Sequence, residues 1–308
     1  MKRALVLAIT AGTGMMAMVV SGLAQQPAAP GPNLLQIEKV KDNLYNITGA
    51  SMTTAGASNT VPFSGGNTAA FVTTNGVVLV DTKLPNWGQS VLDTLRTVTD
   101  KPITHIINTH THLDHVGGNE FFPANVEIVA QENTAANMMK MPAFQGAGKK
   151  HGLPDKTYKD RMTVLGGNDA IDLYYFGPAH TNGDTFVVFR RLRVMHTGDA
   201  FSGKATPFID HDNGGSGISY GETIARALAG IKNVDTIIPG HSTNMTWSDF
   251  VEYREFHRAF LDAVRAAHKA GKTADQAAAE LKLPDTFKDY TMDRTKENVA
   301  KIYAELSR

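Results

Sequence analysis

The chain has 308 residues, enough for one large domain or two small ones, and its 30 Lys+Arg balance 30 Asp+Glu. That balance argues against nucleic acid or an anionic lipid surface as the main partner. Having no cysteine, the chain carries no disulfide framework, no thiolate metal ligand and no cysteine for lipid attachment.

The start, Met1-Lys2-Arg3 followed by an apolar run over residues 4–20, resembles a secretory signal peptide, and Gly22-Leu23-Ala24 offers small residues for cleavage after Ala24. The alternative is an uncleaved anchor, but Thr10, Gly12, Thr13 and Gly14 dilute the run, which is shorter than a typical span. Cleavage leaves 28 basic against 30 acidic residues, a formal net charge of −2, and predicts a periplasmic or secreted protein with no membrane attachment. Residues 25–33, with Pro27, Pro30 and Pro32, read as an extended linker. Strands are predicted over 34–40 and 43–48 with a turn at Lys41-Asp42. Residues 49–66, rich in Ser, Thr, Ala and Gly, form a loop too long for a simple connection. Asn75-Gly76 between 67–73 and 77–80 signals a hairpin, and Asp81 closes its second strand. Val91, Leu92, Leu95 and Val98 fall at helical spacing within 86–98.

Residues 103–107 read as a buried, β-branched strand that runs into Thr109-His110-Thr111-His112-Leu113-Asp114-His115-Val116-Gly117-Gly118. His110 and His112, two apart on extended backbone, can point the same way. Asp114 and His115 turn with the loop toward an adjacent position, and the Gly-Gly pair reads as a turn opening a short helix. Imidazole and carboxylate together suit zinc, with manganese or iron also open. A polar turn with solvated histidines is the bland alternative, but four ligand-type residues seldom cluster so tightly.

A strand is predicted over 126–129, a helix over 133–139, and a polar surface excursion over 142–159. Strands over 170–176, 185–189 and 192–196 run toward His180 and Asp199, a Gly-rich loop fills 201–217, and 219–231 is helical. A short strand at 235–238 delivers His241. Beyond it, Thr246 with Asp249 and Thr273 with Gln276 form capping boxes that open two helices. The first carries Phe250, Tyr253, Phe256, Phe260, Leu261 and Val264 at helical spacing, reads as core, and ends at Gly271. A third helix covers 298–306.

His110 to His115 resembles the His-x-His-x-Asp-His signature of the metallo-β-lactamase superfamily. Three later stretches follow in that family's order: Gly177-Pro178-Ala179-His180 through Asp184, His196-Thr197-Gly198-Asp199, and Pro239-Gly240-His241-Ser242. The resemblance implies an α/β fold, a four-layer αβ/βα sandwich over 34–245 with metals at one edge, and a C-terminal helical extension over 246–308. Residue by residue, it implies that His110, His112 and His180 hold one zinc, Asp114, His115 and His241 a second, and Asp199 bridges both. A shared water then becomes hydroxide near neutral pH, and Asp114, as catalytic residue, orients it. Asp199 discriminates further. True metallo-β-lactamases carry cysteine or serine near this place, whereas the thioesterases and lactonases of the superfamily carry a bridging aspartate. Attack on an ester, thioester or lactone carbonyl of a small molecule is therefore the leading expectation, with β-lactam hydrolysis as the alternative. The glutathione-binding basic and tyrosyl groups of glyoxalase II are not matched in the C-terminal region. An iron-dependent oxidoreductase and a non-catalytic periplasmic metal-binding protein are further alternatives.

The family's matching aspartate buttresses the metal loop, so Asp81 has that role or is a helix-capping acid. The 49–66 loop is a substrate flap or an idle loop. Asp184 reads as holding the turn after His180. Lys204 is a substrate-carboxylate contact or a solvated lysine, and His211, beside Asp212, is a second candidate substrate contact. His105, His151, His196, His257 and His268 lie off the motifs and read as structural or surface residues.

Overall fold

The computed structural model describes residues 34–49, 62–146 and 150–308. The expected signal peptide, the linker and the flap residues 50–61 lie outside the described residues. Pro32–Arg308 cluster as one unit.

One sheet runs in the order β1 (Gln36–Lys41), β2 (Leu44–Thr48), β3 (Thr68–Val72), β4 (Val77–Val80), β5 (Ile103–Ile107), β6 (Glu127–Gln131) and β7 (Lys156–Tyr158). It is antiparallel up to β4 and parallel from β4 onward. The second sheet contains β8 (Arg161–Val164), β9 (Ile171–Tyr174), β10 (Phe186–Phe189), β11 (Val194–Gly198), β12 (Thr236–Pro239) and β13 (Met245–Thr246), side by side in chain order. Only the β11–β12 pair is parallel in it. The helices are α1 (Gly88–Leu95), α2 (Leu113–Val116), α3 (Glu132–Met138), α4 (Gly217–Gly230), α5 (Trp247–Lys269), α6 (Ala274–Ala279) and α7 (Thr295–Leu306).

Successive strand residues face opposite sides of a sheet, and here both sides are apolar. Val78, Val80 and Ile107 of the first sheet meet Leu173, Val187 and Phe189 of the second between the sheets. Leu79 and Ile106, on the first sheet's other face, pack on Val91 and Leu95 of α1. Val188, Met195 and Ile237 turn outward from the second sheet onto Tyr220, Ile224, Phe250, Tyr253 and Val299 of α4, α5 and α7. The result is the helix–sheet–sheet–helix sandwich, with the C-terminal helices thickening its second helical layer.

The Gly-Gly pair does open a short helix, Asn119–Phe121 with Gly118 at its N-cap, and Asp114 and His115 sit on the single turn of α2 just before it, with His112 as N-cap. Two local expectations need correction. The 142–159 excursion ends in β7, and β8 follows at once. Helix α1 starts at Gly88, because Asn86 holds φ 70°, outside the helical region.

Candidate metal centre

Every motif residue lies where a strand of one sheet or the other runs out. His110 and His112 follow β5, with Asp114 and His115 one turn later; His180 follows β9, Asp199 follows β11 and His241 follows β12. The ligand-type atoms gather into two groups: His110, His112, His180 and Asp199, and Asp114, His115 and His241. Within each group the atoms lie within 4.8 Å of one another. Asp199 touches both. Its Oδ1 is 3.3 Å from His115 Nε2, and its Oδ2 is 3.3 Å from His241 Nε2 and 3.7 Å from His180 Nε2. Asp114 Oδ2 lies 3.2 Å from His241 Nε2 and 3.6 Å from His115 Nε2.

The outward nitrogens show what the inward ones offer. His112 Nε2–H donates to Asp210 Oδ2 (2.7 Å), His180 Nδ1–H to the Phe208 carbonyl (2.5 Å), and His115 Nδ1–H to Asp81 Oδ2 (2.7 Å). A carboxylate or carbonyl only accepts, so each partner fixes a proton on the outward nitrogen, and each neutral ring offers its lone pair inside. His180 Nε2 and His112 Nδ1 then face each other at 2.9 Å, two lone pairs that repel unless positive charge lies beside them. His110 Nε2 is buried without a hydrogen-bond partner. A convergent set of lone pairs and carboxylates is what a divalent cation satisfies, and the nitrogen–oxygen donor set fits zinc or a neighbouring metal.

Charge within the site is divided. Burial, with His112 alongside, pushes His180 down to about 4. Burial also opposes a charge on His241, but Asp199 and Asp114 outweigh it and raise that imidazole to about 9. Burial would raise Asp114, yet His115 and His241 hold it down at about 2. A cation bound among these groups competes with their protons, so metal uptake releases protons.

Sequence reasoning missed Lys83. It is fully buried at φ 67°, and its Nζ donates to the Gly66 carbonyl (2.7 Å). Burial pushes this ammonium down to about 7 against the pull of Asp114 and Asp81. Gly66 N donates to Asp114 O (3.0 Å), and its Cα lies so close to the His115 ring that no Cβ fits. Lys83 therefore clamps the segment that covers the His115 ring.

Asp81 takes the buttressing position: Thr109 N, Thr109 Oγ1 and His115 Nδ1 all donate to it. Asp184 accepts from Thr181 N and Oγ1 (2.9 and 2.6 Å) and holds the turn after His180, burial raising its carboxyl to about 7. Lys204 is engaged by Asp249 (2.9 Å) and Glu252 (3.1 Å) on α5, and His211 by Glu305 (3.0 Å) on α7. Both are partly exposed as well as ion-paired. Asp210 and Phe208 were not singled out, although Asp210 adjoins His211 in the sequence.

A family model described as the metallo-beta-lactamase superfamily matches residues 61–241. The 2,4-dinitroanisole O-demethylase subunit alpha of Nocardioides sp. is 31% identical over 183 residues, 57% of this chain and 52% of that protein, so the match spans about half its length. A metallo-beta-lactamase type 2 of Elizabethkingia meningoseptica is 26% identical over 226 residues, 70% of this chain and 80% of that one. Among solved structures, a metallo-beta-lactamase from Pontibacter korlensis superimposes with a TM-score of 0.61 at 20% identity, covering 73% of this chain and 99% of its own. A sec-alkylsulfatase from Pseudomonas sp. reaches 0.72 at 14% identity, covering 88% of this chain and 50% of its own. At those identities the likeness to solved structures shows the fold.

Proposed function

The chain belongs to the metallo-beta-lactamase superfamily, and from that membership we propose that it is a binuclear, metal-dependent hydrolase of a small ester, thioester or lactone. The carrying observation is the Asp199 carboxylate, whose two oxygens lie within 3.7 Å of histidine nitrogens from both groups. A carboxylate in that place suits two like cations held side by side, with zinc the metal we favour. The chemistry such a pair supplies when bound is Lewis acidity, which polarises an acyl oxygen and acidifies water.

The chain's own residues do the rest. Asp114, the most exposed of the seven at its side chain (21%), is placed to hold or pass a proton at Oδ2. Half-buried Phe63 stacks on His241 at 5.7 Å, and half-buried Phe208 lies 5.7 Å from His112. Two apolar rims flanking a polar floor favour a small, partly apolar acyl molecule. We place the mature protein in the periplasm or outside the cell, a reading supported by the sequence of its first 24 residues.

The second reading is β-lactam hydrolysis, favoured by the relative from Elizabethkingia meningoseptica that covers 70% of this chain. Initial rates on a chromogenic β-lactam, a thioester and a lactone, each with a chelated control, separate the two. Our reading expects chelator-sensitive kcat/KM above about 10⁴ M⁻¹s⁻¹ on the thioester or lactone and orders of magnitude less on the β-lactam. The reverse ranking would replace it with the second.

A further inference from the structure

Residues 206–217 pass directly behind the first metal group. From this strap come the two acceptors that orient its histidines: Phe208 O for His180 and Asp210 Oδ2 for His112. The strap is held close. Asp210 N donates to His180 O (2.9 Å), Ser216 N to Ala179 O (3.0 Å), and Gly215 lies so near His180 O that it has no room for a Cβ.

Behind the strap runs the last helix. Arg294, at its N-cap, and Asn298, Lys301 and Glu305 within it follow one another at steps of four, three and four, so they share one face. Each grips the strap at a different point. Arg294 N donates to Thr206 Oγ1 (3.1 Å), and its guanidinium lies 4.8 Å from the Phe208 ring centroid. The buried Asn298 amide donates to Pro207 O (3.0 Å). Lys301 Nζ donates to Ile209 O (2.5 Å) and stands 4.5 Å from the same Phe208 centroid. Glu305 accepts from His211 Nε2 (3.0 Å), Ser216 Oγ (2.5 Å) and Gly217 N (2.7 Å). The grips therefore bracket Phe208 and Asp210 on both sides.

We infer that α7 positions the first metal group: its one polar face fixes the strap, and the strap fixes which nitrogen His112 and His180 turn toward the metal. This rests on reading His110, His112 and His180 as metal ligands. The four gripping residues all lie beyond residue 241, where the family match ends. A helix with such a role is more than packing for the second sheet, although Val299 and Ile302 do pack there as well.

The test titrates the full mature chain and its variants with Zn²⁺ and with Co²⁺ against a chromophoric chelator, resolving two binding events and the Co²⁺ spectrum. Lys301→Met and Glu305→Gln are expected to weaken the histidine-rich group roughly 10- to 100-fold and to shift its Co²⁺ bands. The Asp114–His115–His241 group should stay within about twofold, and that retained event also reports that the variant folds. The control Lys296→Ala, whose exposed ammonium pairs with Asp275, should change neither. Combining Glu305→Gln with Asp210→Asn should weaken binding by clearly less than the product of the two single losses, because both act in part through the Asp210–His112 hydrogen bond. Losses that multiply in full in the double variant, or a folded Lys301→Met protein with wild-type affinity and spectrum, would overturn the proposal while leaving the site reading intact. Wild-type protein that takes up no metal would overturn both.

Discussion

Asp81 accepts three hydrogen bonds, and they orient the rings of His110 and His115. His115 Nδ1–H donates to it directly. The Thr109 hydroxyl commits its proton to Asp81 Oδ2 (2.6 Å), so the hydroxyl oxygen is left to accept from His110 Nδ1 at 3.0 Å. Both rings thereby have Nδ1 turned to a fixed partner and Nε2 turned into the site. Asp81→Asn keeps the shape but turns one acceptor into a donor, which then faces either the Thr109 N–H or both the Thr109 hydroxyl and His115 Nδ1–H, so at least one of the three hydrogen bonds is lost. Metal affinity should fall roughly 10- to 100-fold with the fold preserved, measured by chelator competition alongside circular dichroism; unchanged affinity would show that Asp81 does not set the ring orientation. At this scale the sequence is most informative where the residues themselves are dense in chemistry: His110, His112, Asp114 and His115 stand out by spacing alone. Asp210, Phe208 and Lys83 do not. An aspartate beside a histidine, a phenylalanine carbonyl and a lysine become meaningful only when the chain folds back and brings their partners within reach.

Elements were legible in proportion to how much apolar pattern they carry. Buried β4, the partly buried β5 and the long amphipathic α5 show clear runs, and both C-terminal capping boxes form. Strands β7, β8 and β13 are short and largely exposed or half-buried at sheet edges, so neither period nor composition announces them. Within α5, His257 fits the reading of an off-motif histidine as structural. It is buried, stacks on Tyr220 at 4.2 Å, and leaves Nε2 without a hydrogen-bond partner. Burial pushes its pKa from 6.5 to about 3. Between those values the unfolded chain takes up a proton that the folded chain refuses, so stability falls as pH drops through this window. Each pH unit is about 1.4 kcal/mol, giving at most roughly 3 kcal/mol by pH 4. His257→Phe retains the stacking and removes the titration. Urea midpoints for the two chains should therefore diverge in the variant's favour below about pH 6, other histidines being common to both. Parallel curves would mean that His257 is reached by water and titrates normally.

Across the whole molecule, the two ligand groups join sheets that are also held together by the apolar contact between them and by hydrogen bonds such as Asn67 N to Gly240 O and Thr185 N to Thr109 O (2.8 Å each). His110, His112, Asp114 and His115 belong to the first sheet's β5 edge, while His180, Asp199 and His241 belong to the second. Any cation held by either group is thus a tie between the halves of the sandwich. The order of the four motifs implied this four-layer plan through family resemblance; hydrophobic period alone leads only to a mixed α/β protein, because strands buried on both faces lose their alternation. Metal binding to the folded chain alone should stabilise it by RT ln(1 + [L]/Kd), about 4 kcal/mol at a free concentration a thousandfold above Kd. For a domain of this size that corresponds to a fall in Tm on the order of 10 °C when a strong chelator removes the metal. Asp199→Ala should show a smaller fall, because the one carboxylate shared by both groups is gone and the remaining histidines tie the sheets less tightly. Differential scanning calorimetry of both chains, with and without chelator, measures the two gaps. Equal gaps would mean that Asp199 contributes nothing to holding the metals, and the bridging role on which the proposed chemistry rests would have to be given up.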